Sequence, residues 1–357
     1  MKKVVVAMSG GVDSSVAAIL LKQQGYDVAG MMLRLWSEPG KEDSNRCCTP
    51  DAMSVARRVA ATLDIPFYVI DAKDIFRQKV VGYFLEGYAI GETPNPCLIC
   101  NRQIRWEFLL NHALSLDADF MATGHYARTI ADQDGGIQLL RAVDPAKDQS
   151  YILHVLTQEK LAKALFPVGD YQKAEIRRIA AEFKLPAATR HDSQDLCFLA
   201  GEDYREFLKR NSPEILVSGN ITNKAGQVLG RHSGLANYTI GQRKGLGISS
   251  PEPLYVVSKD RSRNTLLVGG SEALGTLELL AGNVNWPGGN PLKTPFKAHV
   301  KCRYTDRGSS AKVHPQDDGE KVLIVFDETQ RDITPGQAAV FYNGDVVLGG
   351  GVIQSTR

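Results

Sequence analysis

Ser9-Gly10-Gly11-Val12-Asp13-Ser14-Ser15 is the stretch best suited to chemistry. It stands between an apolar run, Lys3 to Met8, and a helical pattern, Ser15 to Gln24, that ends at Gly25. A strand, turn and helix in this order suit an anion. Paired glycines let the backbone approach a ligand, and the helix N-terminus offers unpaired N–H groups and a positive dipole end. The hydroxyls of Ser9, Ser14 and Ser15 add donors, and Asp13 is a candidate ligand for Mg²⁺ against phosphates. No lysine follows as in G-x-x-x-x-G-K-[ST], and the spacing is not G-x-G-x-x-G. The bland alternative is a turn that only caps a helix.

The second candidate is Thr93-Pro94-Asn95-Pro96-Cys97-Leu98-Ile99-Cys100-Asn101. Each proline holds its predecessor out of helix, so Cys97 and Cys100 are expected where a helix begins, over Asn101 to Leu116. A thiolate there is favoured by the helix dipole, with Arg102 and Arg105 to help. Three readings stay open: a zinc half-site, a self-contained redox pair, or one thiol working with a distant cysteine. There is no second C-x-x-C for zinc, and adjacent Cys47 and Cys48 chelate poorly. Cys197, in His191-Asp192-Ser193-Gln194-Asp195-Leu196-Cys197-Phe198, is the distant candidate. Beside Leu and Phe it also reads as a small buried hydrophobe, as does Cys302.

Alternating elements position these residues. Strands are expected at Lys3 to Met8, Asp27 to Leu35, Pro66 to Ile70 and Phe120 to Thr123, the last running into Gly124-His125. Helices are expected at Ser15 to Gln24, Pro50 to Leu63 and Asp74 to Ala89. That alternation argues for a doubly wound parallel α/β sheet over residues 1–205. Residues 206–274 carry short strands among glycines, including Tyr238 to Gly247. Residues 275–357 alternate as an antiparallel barrel or sandwich does. Asn343-Gly344 between two apolar runs signals a hairpin with a type I′ turn.

The 357 residues suffice for two to three domains with real cores. Net charge is +2, too balanced to advertise a nucleic-acid partner, though one basic face remains compatible with it. No apolar run is long enough for a membrane span. Val4 to Met8 is too short for a signal peptide, so the six cysteines are expected as thiols in a reducing cytoplasm.

SGGVDSS resembles the PP-loop of ATP pyrophosphatases, which cleave ATP between the α and β phosphates and adenylylate a substrate oxygen. With it, in order, stand TPNPCLICN, ATGHYAR (122–128), KDQSY (147–151), SQDLCF (193–198) and YTIGQRKGLG (238–247). Together, and along essentially the whole chain, they resemble the bacterial tRNA-specific 2-thiouridylases, which thiolate the wobble uridine of tRNAs for Lys, Glu and Gln. The resemblance implies a PP-loop domain, a small central domain and a C-terminal β-barrel, the last two gripping tRNA.

It also implies ATP at Ala7, Met8, Ser9, Gly10, Gly11, Val12, Asp13, Ser14 and Ser15, with Leu33 and Gly124 lining the adenosine. Family members commonly carry Met where Leu33 stands. Cys197 would carry a persulfide and Cys100 would be the thiol that helps release its sulfur. Some members have Asp at the position of Cys97, a possible base, so the division of labour between Cys97 and Cys100 stays open. A [4Fe–4S] cluster on Cys97, Cys100 and Cys197 is the alternative sulfur route. The anticodon stem-loop would meet Lys147, Asp148, Gln149, His125, Arg303, Tyr304 and Gln337, and Asn95, Pro96 and Cys97 would surround a flipped base. Arg303 with Tyr304 offers a phosphate partner and a stacking face. Arg243-Lys244 reads equally as a basic contact or a solvated tip. The sulfur donor would be a relay protein or a cysteine desulfurase, and the family expectation is a monomer. Rival readings are another PP-loop enzyme, such as an amidotransferase or an argininosuccinate-forming ligase, and a tRNA-binding or sulfur-carrier protein without ATP chemistry.

Overall fold

Val4, Val5 and Val6 are all fully buried. Successive side chains of a strand face opposite ways, so both faces of β1 (Lys3–Ala7) must be covered. The computed structural model, which describes residues 1–41, 49–133, 135–188 and 196–356, shows how. β1 is the centre of a parallel sheet. The order is β3 (Phe67–Asp71), β2 (Asp27–Arg34), β1, β4 (Phe120–Thr123), β7 (Ala164–Leu165). On one face Val4, Val6, Val28 and Met32 meet the helices Val12–Gln23, Pro50–Thr62 and Lys173–Glu182 and the helical run 73–89. On the other, Val5, Ala29 and Met31 meet Leu98, Trp106, Leu109 and Leu110 of the helical run 96–114. Local chemistry supports these elements. Thr49 caps Pro50–Thr62 by accepting from the Ala52 N–H at 3.0 Å, Pro50 takes the first turn, and Ala52, Val55, Ala56 and Val59 form the buried stripe.

The central sheet runs β10 (Tyr255–Asp260), β11 (Thr265–Gly269), β8 (Gly219–Thr222), β9 (Val228–His232), over Ile221, Val256, Leu266 and Val268. At the C-terminus, β12 (Gly275–Asn285), β13 (Phe296–Lys301), β14 (Ser309–Gln316), β15 (Lys321–Arg331), β16 (Ala338–Asn343) and β17 (Val346–Thr356) close into a six-stranded antiparallel barrel, sealed by the β12–β17 pairing. Along β16 the alternation is shared between two cores. Ala339 and Phe341 fill the barrel, while Val340 and Tyr342 enter the core beneath the parallel sheet.

The α/β sheet, the mainly-β centre and the barrel are as the sequence implies, but four local expectations change. The first helix begins at Val12 and the cysteine helix at Pro96, earlier than Ser15 and Asn101. Residues 238–247 form no strand; glycines with positive φ at 241, 245 and 247 make them a succession of turns. The β16–β17 turn is Gly344-Asp345, not Asn343-Gly344. Asn343 pairs with Val346, and only Gly344 has positive φ, the type II′ pattern rather than I′. Finally, β5 (Ala127–Ala131) and β6 (Ile137–Arg141), unforeseen in the sequence, form a hairpin whose Leu140 pairs with Val346 of the barrel.

Phe84 is 1 % exposed and packs edge-on against Tyr88, Phe198 and Phe207, with centroids 4.9, 5.1 and 6.0 Å away. Phe84→Ala should cost about 3–5 kcal/mol, and Phe84→Leu clearly less, in urea unfolding. Because Phe198 follows Cys197, the alanine variant should also raise the reactivity of Cys197 toward a thiol reagent.

Candidate active site

Neighbouring strands β1 and β4 end side by side, with chain crossovers leaving in opposite directions. This is the switch point at which open α/β sheets bind ligands. The loop after β1 is shaped by close approaches. Gly10 has φ +73°, and a Cβ there would lie 2.3 Å from the Ala52 carbonyl oxygen. A Cβ on Gly124, just past β4, would lie 2.6 Å from Ser14 N and 2.8 Å from Asp13 C. Ser15 is buried and its hydroxyl donates to the Gly11 carbonyl at 2.8 Å. The Ser9 N–H reaches Ser14 Oγ at 3.2 Å, and the Gly11 N–H reaches Ser9 Oγ at 3.4 Å. No side chain caps the helix Val12–Gln23 at its N-cap Gly11. The serines thus brace the loop around a helix start shaped for an anion. Leu33 lies on β2, half-buried between the two cores.

Asp13 is gripped by residues the sequence reading passed over. Lys173 Nζ, from the start of its helix, lies 2.7 and 2.9 Å from the two carboxylate oxygens. The Tyr126 hydroxyl donates to Oδ1 at 2.8 Å. Tyr126 stands inside the quoted ATGHYAR, yet nothing local marks its hydroxyl as facing Asp13. Lys173, 160 positions away, leaves no signal at all.

The cysteine loop is fixed from both ends. Asn95 caps the helix Pro96–Ile99 by accepting from the Cys97 N–H at 3.2 Å, and Asn101 Nδ2 donates to the Cys97 carbonyl at 3.0 Å. Upstream, the Thr93 N–H donates to the Pro335 carbonyl at 3.0 Å, and Gln337 Nε2 donates to the Thr93 carbonyl at 2.7 Å. Pro96 is buried. Cys100 and Cys197 are half-buried and pack on the rim of the same core cluster, which holds Phe84 and Phe198. Cys302 is buried in the barrel, and burial pushes its thiol pKa up to about 12, as suits a packing residue. Among the described residues no three His, Cys, Asp or Glu side chains gather as metal ligands. Cys97, Cys100 and Cys197 therefore do not gather as a ligand set in this structure. Mg²⁺ asks less, one or two carboxylates plus phosphates, which Asp13 beside the loop can meet. Cys47, Cys48 and residues 191–195 lie outside the described residues.

The chain matches the tRNA methyl transferase HUP domain over residues 2–201, the tRNA methyl transferase PRC-barrel domain over 205–270 and the aminomethyltransferase beta-barrel domain over 276–353. It is 47 % identical to the tRNA-specific 2-thiouridylase MnmA of Geotalea uraniireducens, covering 99 % of this chain and 95 % of that one. Against the protein of the same name from Clostridioides difficile identity is 43 %, with 99 % of each covered. The chain belongs to the tRNA-specific 2-thiouridylase family. No helix among the described residues is long and apolar enough to cross a membrane.

The residues that the family resemblance assigns to tRNA fall into two groups. Tyr304 keeps 41 % exposure, and Arg303 is exposed, its guanidinium held by the Asp332 carbonyl at 2.7 Å. Burial, then Asp148, then Cys97 push the Tyr304 phenol up to about 12. Lys147 is half-buried at the start of the KDQSY segment. The others face inward. His125 is buried, its Nδ1 2.8 Å from Thr123 Oγ1. Asp148 is buried and accepts from the N–H groups of Ala142 and Ser150 and from the Ser150 hydroxyl. Gln149 Oε1 accepts from the Tyr126 N–H at 2.9 Å. Gln337 holds Thr93.

Burial, with Arg105 adding, drives the His125 pKa well below its usual value, and burial lowers His154 to about 4. Both rings are neutral when folded, so the unfolded chain binds more protons once pH falls below about 6.5. Stability should therefore decline on acidification from pH 6.5 toward 4, by up to about 1.4 kcal/mol per pH unit for each ring. Imidazole NMR shifts for both residues unchanged between pH 8 and 5.5 would bear this out; titration near pH 6.5 would contradict it.

Proposed function

We propose that this chain replaces the C2 oxygen of the wobble uridine in tRNA with sulfur, at the expense of ATP. The observation that carries this reading is the match to 2-thiouridylases along 99 % of the chain. The site's chemistry supports it. ATP is to lie with its phosphates on residues 9–15 and its adenosine near Leu33 and Gly124, and Asp13 would hold Mg²⁺, which supplies charge neutralisation at the phosphates. The uridine C2 oxygen attacks the α phosphorus, the bond to the bridging oxygen breaks, and pyrophosphate leaves with the electron pair. Activation and replacement are thereby split into two easier displacements.

In the second, Cys197 carries a persulfide loaded by a relay protein or cysteine desulfurase. The Cys100 thiolate attacks Cys197 Sγ, the S–S bond breaks, and the released hydrosulfide adds at C2. AMP departs with the C2 oxygen, and a Cys100–Cys197 disulfide is left for a reductant. Cys97 would act as base or as a wall of the base pocket. The target base must leave the anticodon loop to be reached, and Arg303 with Tyr304 is the exposed pair suited to receive RNA.

Protein given ATP, Mg²⁺, sulfide and unmodified tRNA for Lys should yield 2-thiouridine on digestion and mass spectrometry. With a persulfide donor in place of sulfide, Cys197→Ser and Cys100→Ser should each cut thiouridine to background while AMP formation persists. Normal thiouridine formation by both variants would overturn the sulfur route through Cys100 and Cys197. AMP without thiouridine from the wild type would overturn the substrate.

A further inference from the structure

The loop at residues 9–15 lacks the lysine that a Walker-type loop carries within its own motif to meet the distal phosphates. A triphosphate needs a cation there beyond a single metal ion. The structure holds one in place. Lys173 Nζ sits 2.7 and 2.9 Å from the Asp13 carboxylate oxygens, its side chain only 12 % exposed. Its position is built rather than accidental. The Lys173 N–H donates to Asp144 Oδ2 at 3.0 Å, a reciprocal cap between Gln172 and Glu175 fixes the helix start, and Ile176 and Ala180 pack in the core that holds Val16 and Ala17. The ammonium also lies 5.6 Å from the centre of the Tyr126 ring, on the residue whose hydroxyl shares Asp13 Oδ1.

We propose that Lys173 is the phosphate-binding cation of this loop, kept on Asp13 until nucleotide arrives. The inference rests on the ATP reading above. When Asp13 turns to Mg²⁺, Lys173 is released to the β and γ phosphate oxygens. As the bond between the α phosphorus and the bridging oxygen breaks, the electron pair goes to pyrophosphate, and the ammonium stabilises that charge without transferring a proton. Without ligand, the ion pair neutralises Asp13, so the half-buried carboxylate is not left uncompensated.

The test compares ATP with AMP, which lacks the phosphates Lys173 is to meet. Calorimetric titration of the full chain with Mg²⁺ should show Lys173→Met binding ATP about tenfold to a hundredfold more weakly than wild type. AMP affinity should change by less than about twofold, and Lys173→Arg should recover part of the ATP affinity. Should Lys173→Met fail to fold, Lys173→Arg and Lys173→Gln give the same ordering. Equal ATP affinity in wild type and variants would overturn the proposal and leave Lys173 a structural clamp. Equal losses for ATP and AMP would overturn it too, by showing that the loop as a whole collapses. A wild type that binds no ATP would instead sink the nucleotide reading itself.

Discussion

The peptide groups of Thr93 are where the barrel takes hold of the cysteine loop. Pro94 and Pro96 have no N–H to give, so the segment ahead of Cys97 has few donors with which to fix its path. Thr93 and Asn95 do that work. Thr93 spends its N–H on Pro335 and its carbonyl on Gln337, and Gly336 lies so close that a Cβ would meet the same carbonyl at 2.9 Å. Both partners belong to the turn that leads into β16. Backbone groups shielded from water are costly unless paired, so the loop carrying Cys97 keeps its course only while the barrel is docked. The C-terminal barrel thereby helps to position the candidate site, although Cys97, Cys100 and Cys197 all lie outside it.

The nucleotide side is governed by a different constraint, close packing of backbone. β1 and β4 are adjacent parallel strands, and the loops at their ends must pass each other within van der Waals range. Gly124 makes this possible against Ser14 and Asp13, while Gly10 lets the same loop pass Ala52 of the helix Pro50–Thr62. Once these contacts are set, Asp13 has little freedom, and Tyr126, two residues beyond Gly124, is brought under its carboxylate. Geometry around residues 9–15 is thus fixed by where side chains are missing as much as by where they are present.

What the sequence discloses follows from the range of the forces involved. The strand at Phe120–Thr123 and the helix after Thr49 were legible because period, cap and proline act within a few residues. The strand, turn and helix around residues 9–15 were legible for the same reason. The β5–β6 hairpin was not, since its last strand is completed by Val346 from the far end of the chain. The turn at Gly344 slipped by one residue because Asn-Gly permits two registers, and the pairing of Asn343 with Val346 decides between them. Lys173 was illegible for a stronger reason. An ordinary Lys-Ala-Glu-Ile helix start carries no mark of the carboxylate it meets, and only packing of its helix on the first helix reveals it.

The KDQSY segment shows how a motif can matter without facing its ligand. Asp148 is buried and its oxygens are occupied by the Ala142, Ser150 N–H and Ser150 hydroxyl donors. Ser150 Oγ lies 3.3 Å from the Tyr342 hydroxyl, and the Tyr151 hydroxyl donates to the Ala338 carbonyl at 2.9 Å, both on β16. Gln149 exchanges hydrogen bonds with the backbone of Tyr126, its N–H giving to the carbonyl and its Oε1 taking from the N–H. Tyr126 in turn holds Asp13. The segment therefore reaches two places: Ser150 and Tyr151 meet the barrel wall, and Gln149 holds the backbone of Tyr126, whose hydroxyl meets Asp13. Buried polar groups of this kind are stable only when each is satisfied, a condition Asp148 meets through its three donors. Lys147 is half-buried at the head of the segment, and its N–H donates to the Asp144 carbonyl at 3.1 Å.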